Sequence, residues 1–235
     1  MEKQHLFKWK HYQPDIILLT VRWYLRYNLS FRDLVEMMEE RGLSIAHTTI
    51  MRWVHQYGPE LEERVRHHLK STNDSWRVDE TYIRVKGQWM YLYRAVDSEG
   101  NTIDFYLSES RDKQAAKRFF KKALAFSYVS KPRVITVDKN PAYPVAIQEL
   151  KKEKQMPAGI QLRQVKYLNN IVEQDHRFIK KCVRTMLGFK SFRTAKIIVS
   201  EIEVMHMIKK KQTHQQLTSA QNQKAFIHRL FGLAS

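Results

Sequence analysis

Lys166-Tyr167-Leu168-Asn169-Asn170-Ile171-Val172-Glu173-Gln174-Asp175-His176-Arg177-Phe178-Ile179-Lys180 reads as a loop running into a helix. Asn170 suits the N-cap, and Ile171, Val172, Phe178 and Ile179 supply apolar faces. Glu173 falls in the first turn and Lys180 about two turns later, so both side chains point the same way. Asp175, five residues before Lys180, projects to a different helix face. Upstream, two strand-like runs each deliver an aspartate, Trp76-Arg77-Val78-Asp79 and Val134-Ile135-Thr136-Val137-Asp138. Two acids on strands and a third on a later helix, with a cation in step, form the pattern of a divalent-metal site.

The rest of the body fits around these runs. Residues 76–85, 89–96 and 102–107 are β-rich and are separated by Lys86-Gly87 and Asp97-Ser98-Glu99-Gly100-Asn101, which is turn chemistry. Asp97 and Asp104 read as solvent charges in or beside those turns. Ser110 suits the cap of a helix over 111–125, with Ala115, Ala116, Phe119, Phe120 and Leu124 inward. Residues 134–138 form a short buried strand, Asn140-Pro141 opens a helix through Leu150, and 160–165 fits another strand. The order β-β-β-α-β-α-β-α predicts an α/β ribonuclease H-like domain, a mixed five-stranded sheet with flanking helices. In that fold the first and fourth strands lie side by side and present carboxylates at one end of the sheet.

Before this body the periodicity is helical. Residues 14–27 form a helix with Pro14 in its first turn, and Ser30 with Asp33 makes a capping-box variant for a second. Gly42 ends that helix, and a third covers 46–57, with Gly58-Pro59 as its stop and a connecting helix over 60–70 beyond. Helix, short turn, helix predicts an all-α helix-turn-helix DNA-binding domain over 1–70. The outward residues of its third helix are His47, Thr48, Thr49, Arg52, His55 and Gln56; Thr48, Thr49, Arg52 and Gln56 are the candidates for contacting DNA. A plain packing domain with a solvated face is the alternative. The polar stretch 71–75 marks the boundary, 71–211 holds the catalytic body with a long last helix over 193–211, and 212–235 is a polar linker with a short amphipathic helix.

Composition narrows the partners. The 235 residues carry 41 Lys and Arg against 24 Asp and Glu, a net charge of +17, which favours a polyanionic partner. The 43% hydrophobic content supports a real core, and no apolar run approaches the roughly 20 residues of a membrane span. The first residues lack the apolar segment of a secretory signal, and the single Cys182 excludes an internal disulfide; both suit a reducing cytoplasm. Residues 111–135 and 176–211 are runs of Lys and Arg that flank the acids and suit phosphate tracks. Trp89, Tyr91, Tyr93 and Tyr143 fit core packing first, with stacking on unpaired bases as the alternative.

The residue types match one chemistry. Phosphodiester cleavage and strand transfer need an activated oxygen nucleophile and a stabilised leaving oxygen, which two Mg²⁺ ions supply. Hard Mg²⁺ takes oxygen ligands, so carboxylates suffice. Other readings of each acid stay open: a strand-edge pair for Asp79 with Glu80, a turn residue for Asp138, and a capping glutamate for Glu173.

Trp76-Arg77-Val78-Asp79-Glu80-Thr81-Tyr82, Tyr91-Leu92-Tyr93-Arg94-Ala95-Val96-Asp97, Val137-Asp138-Lys139-Asn140-Pro141-Ala142-Tyr143, Asn169 to Arg177, and Met186-Leu187-Gly188-Phe189-Lys190-Ser191-Phe192 resemble the DDE transposases of bacterial insertion sequences, specifically the insertion-sequence-six family. The resemblance spans nearly the full chain. It implies that Asp79, Asp138 and Glu173 are the catalytic residues and ligands of two Mg²⁺ ions, with Mn²⁺ as substitute, and that Lys180 is the basic residue following the glutamate. It further implies that double-stranded DNA is the partner, that the N-terminal module recognises terminal inverted repeats, that a homodimer or higher oligomer synapses the ends, and that the product is a cointegrate. The compartment expected is the bacterial cytoplasm, at the nucleoid. The rivals are another ribonuclease H-like integrase or nuclease, a non-catalytic DNA-binding repressor, and a tyrosine recombinase.

Overall fold

The computed structural model describes residues 6–126, 128–165, 170–186 and 189–233. The loop residues 166–169, the Asn170 side chain expected to cap the following helix, and Leu187-Gly188 lie outside the described residues.

Three helices come first: α1 (Pro14–Arg26), α2 (Phe31–Glu39) and α3 (His47–Arg66). The Ser30–Asp33 capping box forms at the start of α2, each partner accepting the other's backbone N–H. Gly42 adopts φ +74 just beyond α2, as its position predicts. The expected stop at Gly58-Pro59 does not occur, because α3 runs through both to Arg66. Its apolar stripe continues past the proline, with Tyr57, Leu61 and Val65 all buried. Packing along that stripe offsets the backbone donor that Pro59 lacks. Gly58 serves close approach instead: a Cβ there would meet the Glu201 carboxyl carbon at 2.2 Å.

The sheet follows. Strands β1 (Ser75–Val85), β2 (Gln88–Asp97) and β3 (Thr102–Ser108) form an antiparallel meander. Lys86 and Gly87, with φ +51 and +78, close the first hairpin as a two-residue loop. Helix α4 (Lys113–Leu124) leads to β4 (Val134–Val137), α5 (Ala142–Lys152) to β5 (Gln161–Gln164), and α6 (Asn170–Thr185), α7 (Phe192–Lys209) and α8 (Ala220–Leu230) complete the chain. The strand order is β3-β2-β1-β4-β5, with β4 and β5 parallel to β1, so the first and fourth strands are neighbours as the element order requires. Asp112, rather than Ser110, caps α4, accepting the Ala115 N–H at 2.7 Å. An aspartate two positions nearer the first buried alanines gives the helix its entry charge as well as its cap.

Each sheet face has its own core. One face packs Trp76, Val78, Tyr93 and Ala95 against Phe119, Phe120, Tyr143 and Ile147 of α4 and α5. The other packs Ile83, Val85, Leu92 and Phe105 under α6 and α7. That second cluster continues without a break into Ile17, Leu25, Trp53 and Tyr57 of the N-terminal helices and Phe226 and Ile227 of α8. The C-terminal helix thus docks on its own chain, where the Arg64 guanidinium donates to the Leu230 carbonyl at 2.8 Å. Among the described residues no helix is long and apolar enough to cross a membrane.

Candidate active site

The parallel ladder between β1 and β4 sets the geometry. Its last pair is Arg77 with Thr136, so Asp79 and Asp138 each stand two residues further on and leave the ladder at the same level. Neighbouring strands are about 4.8 Å apart, and oxygens of Asp79, Glu80 and Asp138 lie within 4.8 Å of one another. The Glu80 N–H donates to Asp79 Oδ1 at 2.8 Å, and the Asn140 N–H to Asp138 Oδ1 at 3.0 Å. Glu173 stands exposed on the first turn of α6, which packs across β1 and β2.

The electrostatics report crowding. Burial lifts the Asp79 carboxyl to about 7 against the pull of the Glu80 N–H, and the charges of Glu80, Asp138 and Glu173 add to the rise. The charge of Glu173 is the smallest of these contributions to Asp79, and among the described residues the oxygens that lie within 4.8 Å of one another are those of Asp79, Glu80 and Asp138, without Glu173. Asp138 is likewise raised, first by burial and then by Glu80, with the Asn140 N–H and Arg111 opposing. Carboxylates gathered this way favour a bound cation, and an all-oxygen donor set fits Mg²⁺.

Glu80 belongs to the cluster but differs in its partners. It is buried on the opposite face of β1, accepting from Arg111 Nε, from Tyr143 Oη, and from Asn140 Nδ2 at 2.8 Å. Arg111 Nη2 also reaches Asp138 Oδ2 at 3.5 Å. With both oxygens accepting from donors, Glu80 ties the Asp138 turn and α5 to β1. The sequence signal for this hub is Asn140 and Tyr143, two and five residues after Asp138. Sequence alone reads Asn140 as a helix opener and Tyr143 as a core residue, with base stacking as its alternative.

Asp175 settles how α6 is rolled. Burial would raise its carboxyl, but Arg94 overrides this, together with His206 and Lys210, and holds it well below the usual carboxylate range. Arg94 Nη2 donates to Asp175 Oδ2 at 2.7 Å, and Arg94 also grips Glu203 through Nε at 2.6 Å and Nη2 at 2.9 Å. Since Arg94 pairs with Asp79 across the β1–β2 ladder, this anchor holds α6 over the acids. Asp175 is therefore a buried fastener, and Glu173, two residues earlier, is left facing solvent. His176 beside it is pushed down to about 3, by burial first and then by Arg94 and Lys180, so it is neutral at physiological pH.

Other expected residues fall into place or are corrected. Thr48, Arg52 and Gln56 are exposed along α3 and Thr49 is half-buried; Gln56 Oε1 accepts from Lys10 Nζ at 3.1 Å. Lys180 is exposed on α6. Asp97 and Asp104 are fully buried rather than solvent charges. Asp97 accepts the N–H groups of Asn73, Glu99 and Asn101, ordering its turn, and Asp104 holds Lys122 at 2.7 Å. Tyr93 and Tyr143 are core residues, whereas Trp89 is 61% exposed and Tyr91 half-buried. Cys182 is buried in α6.

Comparison with known proteins agrees with this geometry. The DDE domain model of IS240-type transposases matches residues 73–212. The transposase for insertion sequence-like element IS431mec of Staphylococcus aureus is 40% identical over 205 residues, covering 87% of this chain and 89% of its own. The transposase for insertion sequence element IS257 in transposon Tn4003, also from Staphylococcus aureus, is 39% identical over the same lengths. Among solved structures, the HTLV-2 integrase catalytic core domain in complex with magnesium (trimeric form) covers 56% of this chain and 84% of its own, at 17% identity and a TM-score of 0.42. With a DDE domain over more than half its length and transposase relatives along nearly all of it, the chain belongs to the DDE transposases of insertion sequences, polynucleotidyl transferases of the insertion-sequence-six type.

Proposed function

We propose that this chain binds the terminal inverted repeats of its insertion sequence, cleaves the 3′ ends and joins them to target DNA, giving a cointegrate. The observation that carries this is the exit of Asp79 and Asp138 from the β1–β4 ladder at one level, with their oxygens within 4.8 Å of one another. Asp79, Asp138 and Glu173 are the residues that would hold two Mg²⁺ ions, or Mn²⁺ in their place. When bound, the metal would supply activation of the attacking oxygen and neutralisation of the leaving one.

The remaining roles belong to the chain. Asp79 and Asp138 are each held by a backbone N–H at one oxygen, which fixes the direction of the other. The Glu80–Arg111–Asn140–Tyr143 network keeps the Asp138 turn in place. Water first frees the 3′-hydroxyl of the element end, and that hydroxyl then attacks a target phosphodiester in line. Residues 1–70 would read the repeat through Thr48, Thr49, Arg52 and Gln56, residues 71–211 would carry the chemistry, with Lys180 on DNA phosphate, and residues 212–235 would close the core. A homodimer or larger assembly would synapse two ends at the bacterial nucleoid.

The test is incubation of the protein with end DNA, target DNA and Mg²⁺. Nicks at the 3′ ends followed by joined products are expected. Binding without either product overturns the proposal, and nicking without joining reassigns the chain to a nuclease.

A further inference from the structure

Beside the acids, β1 loses its neighbour. Its ladder with β4 ends at Arg77, and among the described residues that edge is next bridged at Val85, by Phe189. The gap opens a groove of about 880 Å³ between β1 and α6, lined by Tyr82, Arg84, Trp89, Tyr91, Lys180 and Arg184 among others. That volume lies within the roughly 300–1,000 Å³ of ligand-sized cavities. Tyr82 is 41% exposed and Trp89 61% exposed, on a hairpin whose Trp76, Ile83, Met90, Leu92 and Tyr93 are buried. The Tyr82 and Tyr91 rings stand 5.3 Å apart, and the Arg84 guanidinium lies 5.4 Å from the Trp89 ring centre. Among the described residues, three cations line the groove and no carboxylate does.

Both walls start at the proposed catalytic acids. Tyr82 is three residues along β1 from Asp79, roughly 10 Å, on the strand face it shares with Glu80. Lys180 is seven residues along α6 from Glu173, again roughly 10 Å. Within a duplex the flat faces of the bases are covered by their neighbours, so only an unstacked base can lie on these rings. A second copy of this chain is a poor occupant, because each copy carries +17 and the groove offers it only like charge.

Resting on the proposed transposase reading, we infer that this groove holds an unpaired nucleotide from the junction of element and flanking DNA. Tyr82, Trp89 and Tyr91 supply the stacking platform, and Arg84, Lys180 and Arg184 the phosphate contacts. The groove thereby helps to open the duplex next to the bond to be cut.

The test uses the full-length protein, end duplexes carrying 5-iodouracil at the junction, and the variants Trp89→Ala, Trp89→Phe and Tyr82→Ala. In calcium, irradiation of the wild-type complex should cross-link the junction base to the peptide containing Tyr82 or Trp89. With Mg²⁺ and saturating end DNA, Trp89→Ala should nick a fully paired junction roughly 10- to 100-fold more slowly than wild type. Trp89→Phe should recover much of that rate, and a junction with two mispaired bases should recover most of it for Trp89→Ala. Equal deficits on paired and mispaired junctions, or wild-type nicking by Trp89→Ala, would overturn the inference. So would loss of paired protomers in the variant complex, measured by light scattering, which would assign the groove to a second copy. Failure of the wild-type protein to nick either junction would instead strike the transposase reaction itself.

Discussion

At the scale of single residues, the site separates groups that present oxygen from groups that hold them. Asp79→Asn, Asp138→Asn or Glu173→Gln should abolish end cleavage and strand transfer while leaving end binding nearly intact, as gel shift and product analysis on one set of substrates will show. Retained cleavage in any one removes that residue from the catalytic set. Glu80→Gln is expected to behave differently. It keeps the side chain's shape but takes the charge from Arg111 and the second acceptor oxygen from its donors. Turnover should fall by about 10- to 100-fold, with a partial residual rate that the three acid variants lack. The acids were legible because their chemistry dictates residue type and order. Glu80 was not, because a strand alternation tells only that it faces away from Asp79. Its partners, up to 63 positions distant, become visible only when α5 lies under β1.

At the scale of elements, periodicity predicted most helices and strands, and its failures share a cause. Gly58-Pro59 looks like a stop in one dimension, yet α7 approaches so closely that the glycine is required inside a continuous helix. Asp97 and Asp104 look like turn charges, yet Asp97 ends β2, Asp104 lies within β3, and both are fully buried. Each miss is a tertiary contact overriding a local preference. Gly58→Ala should therefore destabilise the chain by about 1–3 kcal/mol in urea unfolding. Adding Glu201→Ala should return most of that loss, whereas simply additive losses would mean the two sites are not in contact. Burial, followed by the charge of Glu62, raises the Glu201 carboxyl well above its ordinary value of 4.5, and neither oxygen has a hydrogen-bond partner among the described residues. The folded chain then binds a proton that the unfolded chain releases, so this contribution is present below pH 4.5 and is lost as pH rises toward the folded value. Glu201→Gln should flatten the fall in Tm between pH 5 and 8, by about 2–4 °C per kcal/mol recovered. An unchanged slope would show that Glu201 is ionised in the native state.

At the scale of the whole molecule, charge and core have different consequences. A cleft of about 800 Å³ between the N-terminal helices and the β1–β2 hairpin is lined by Arg32, His47, Arg84, Lys86 and Lys190 among others, with no acid among the described residues. If the end DNA crosses it, Lys86→Ala and Lys190→Ala should weaken binding to every sequence alike, each lowering the salt slope by about one. Fluorescence anisotropy across a salt series measures this, and an unchanged slope places the DNA elsewhere. The net charge pointed to a polyanion, but only the fold could show where the charge gathers. The buried cluster that runs unbroken from α1 and α3 beneath the sheet has a mechanical meaning. On the proposed reading, the helices that would contact a repeat and the carboxylates that would cut beside it are the two jaws of one caliper, set at a single opening. Slipping one extra base pair between the contacted bases and the cleaved bond cannot be absorbed by a hinge. The cut should then move with the contacted bases, one nucleotide off the element's true boundary.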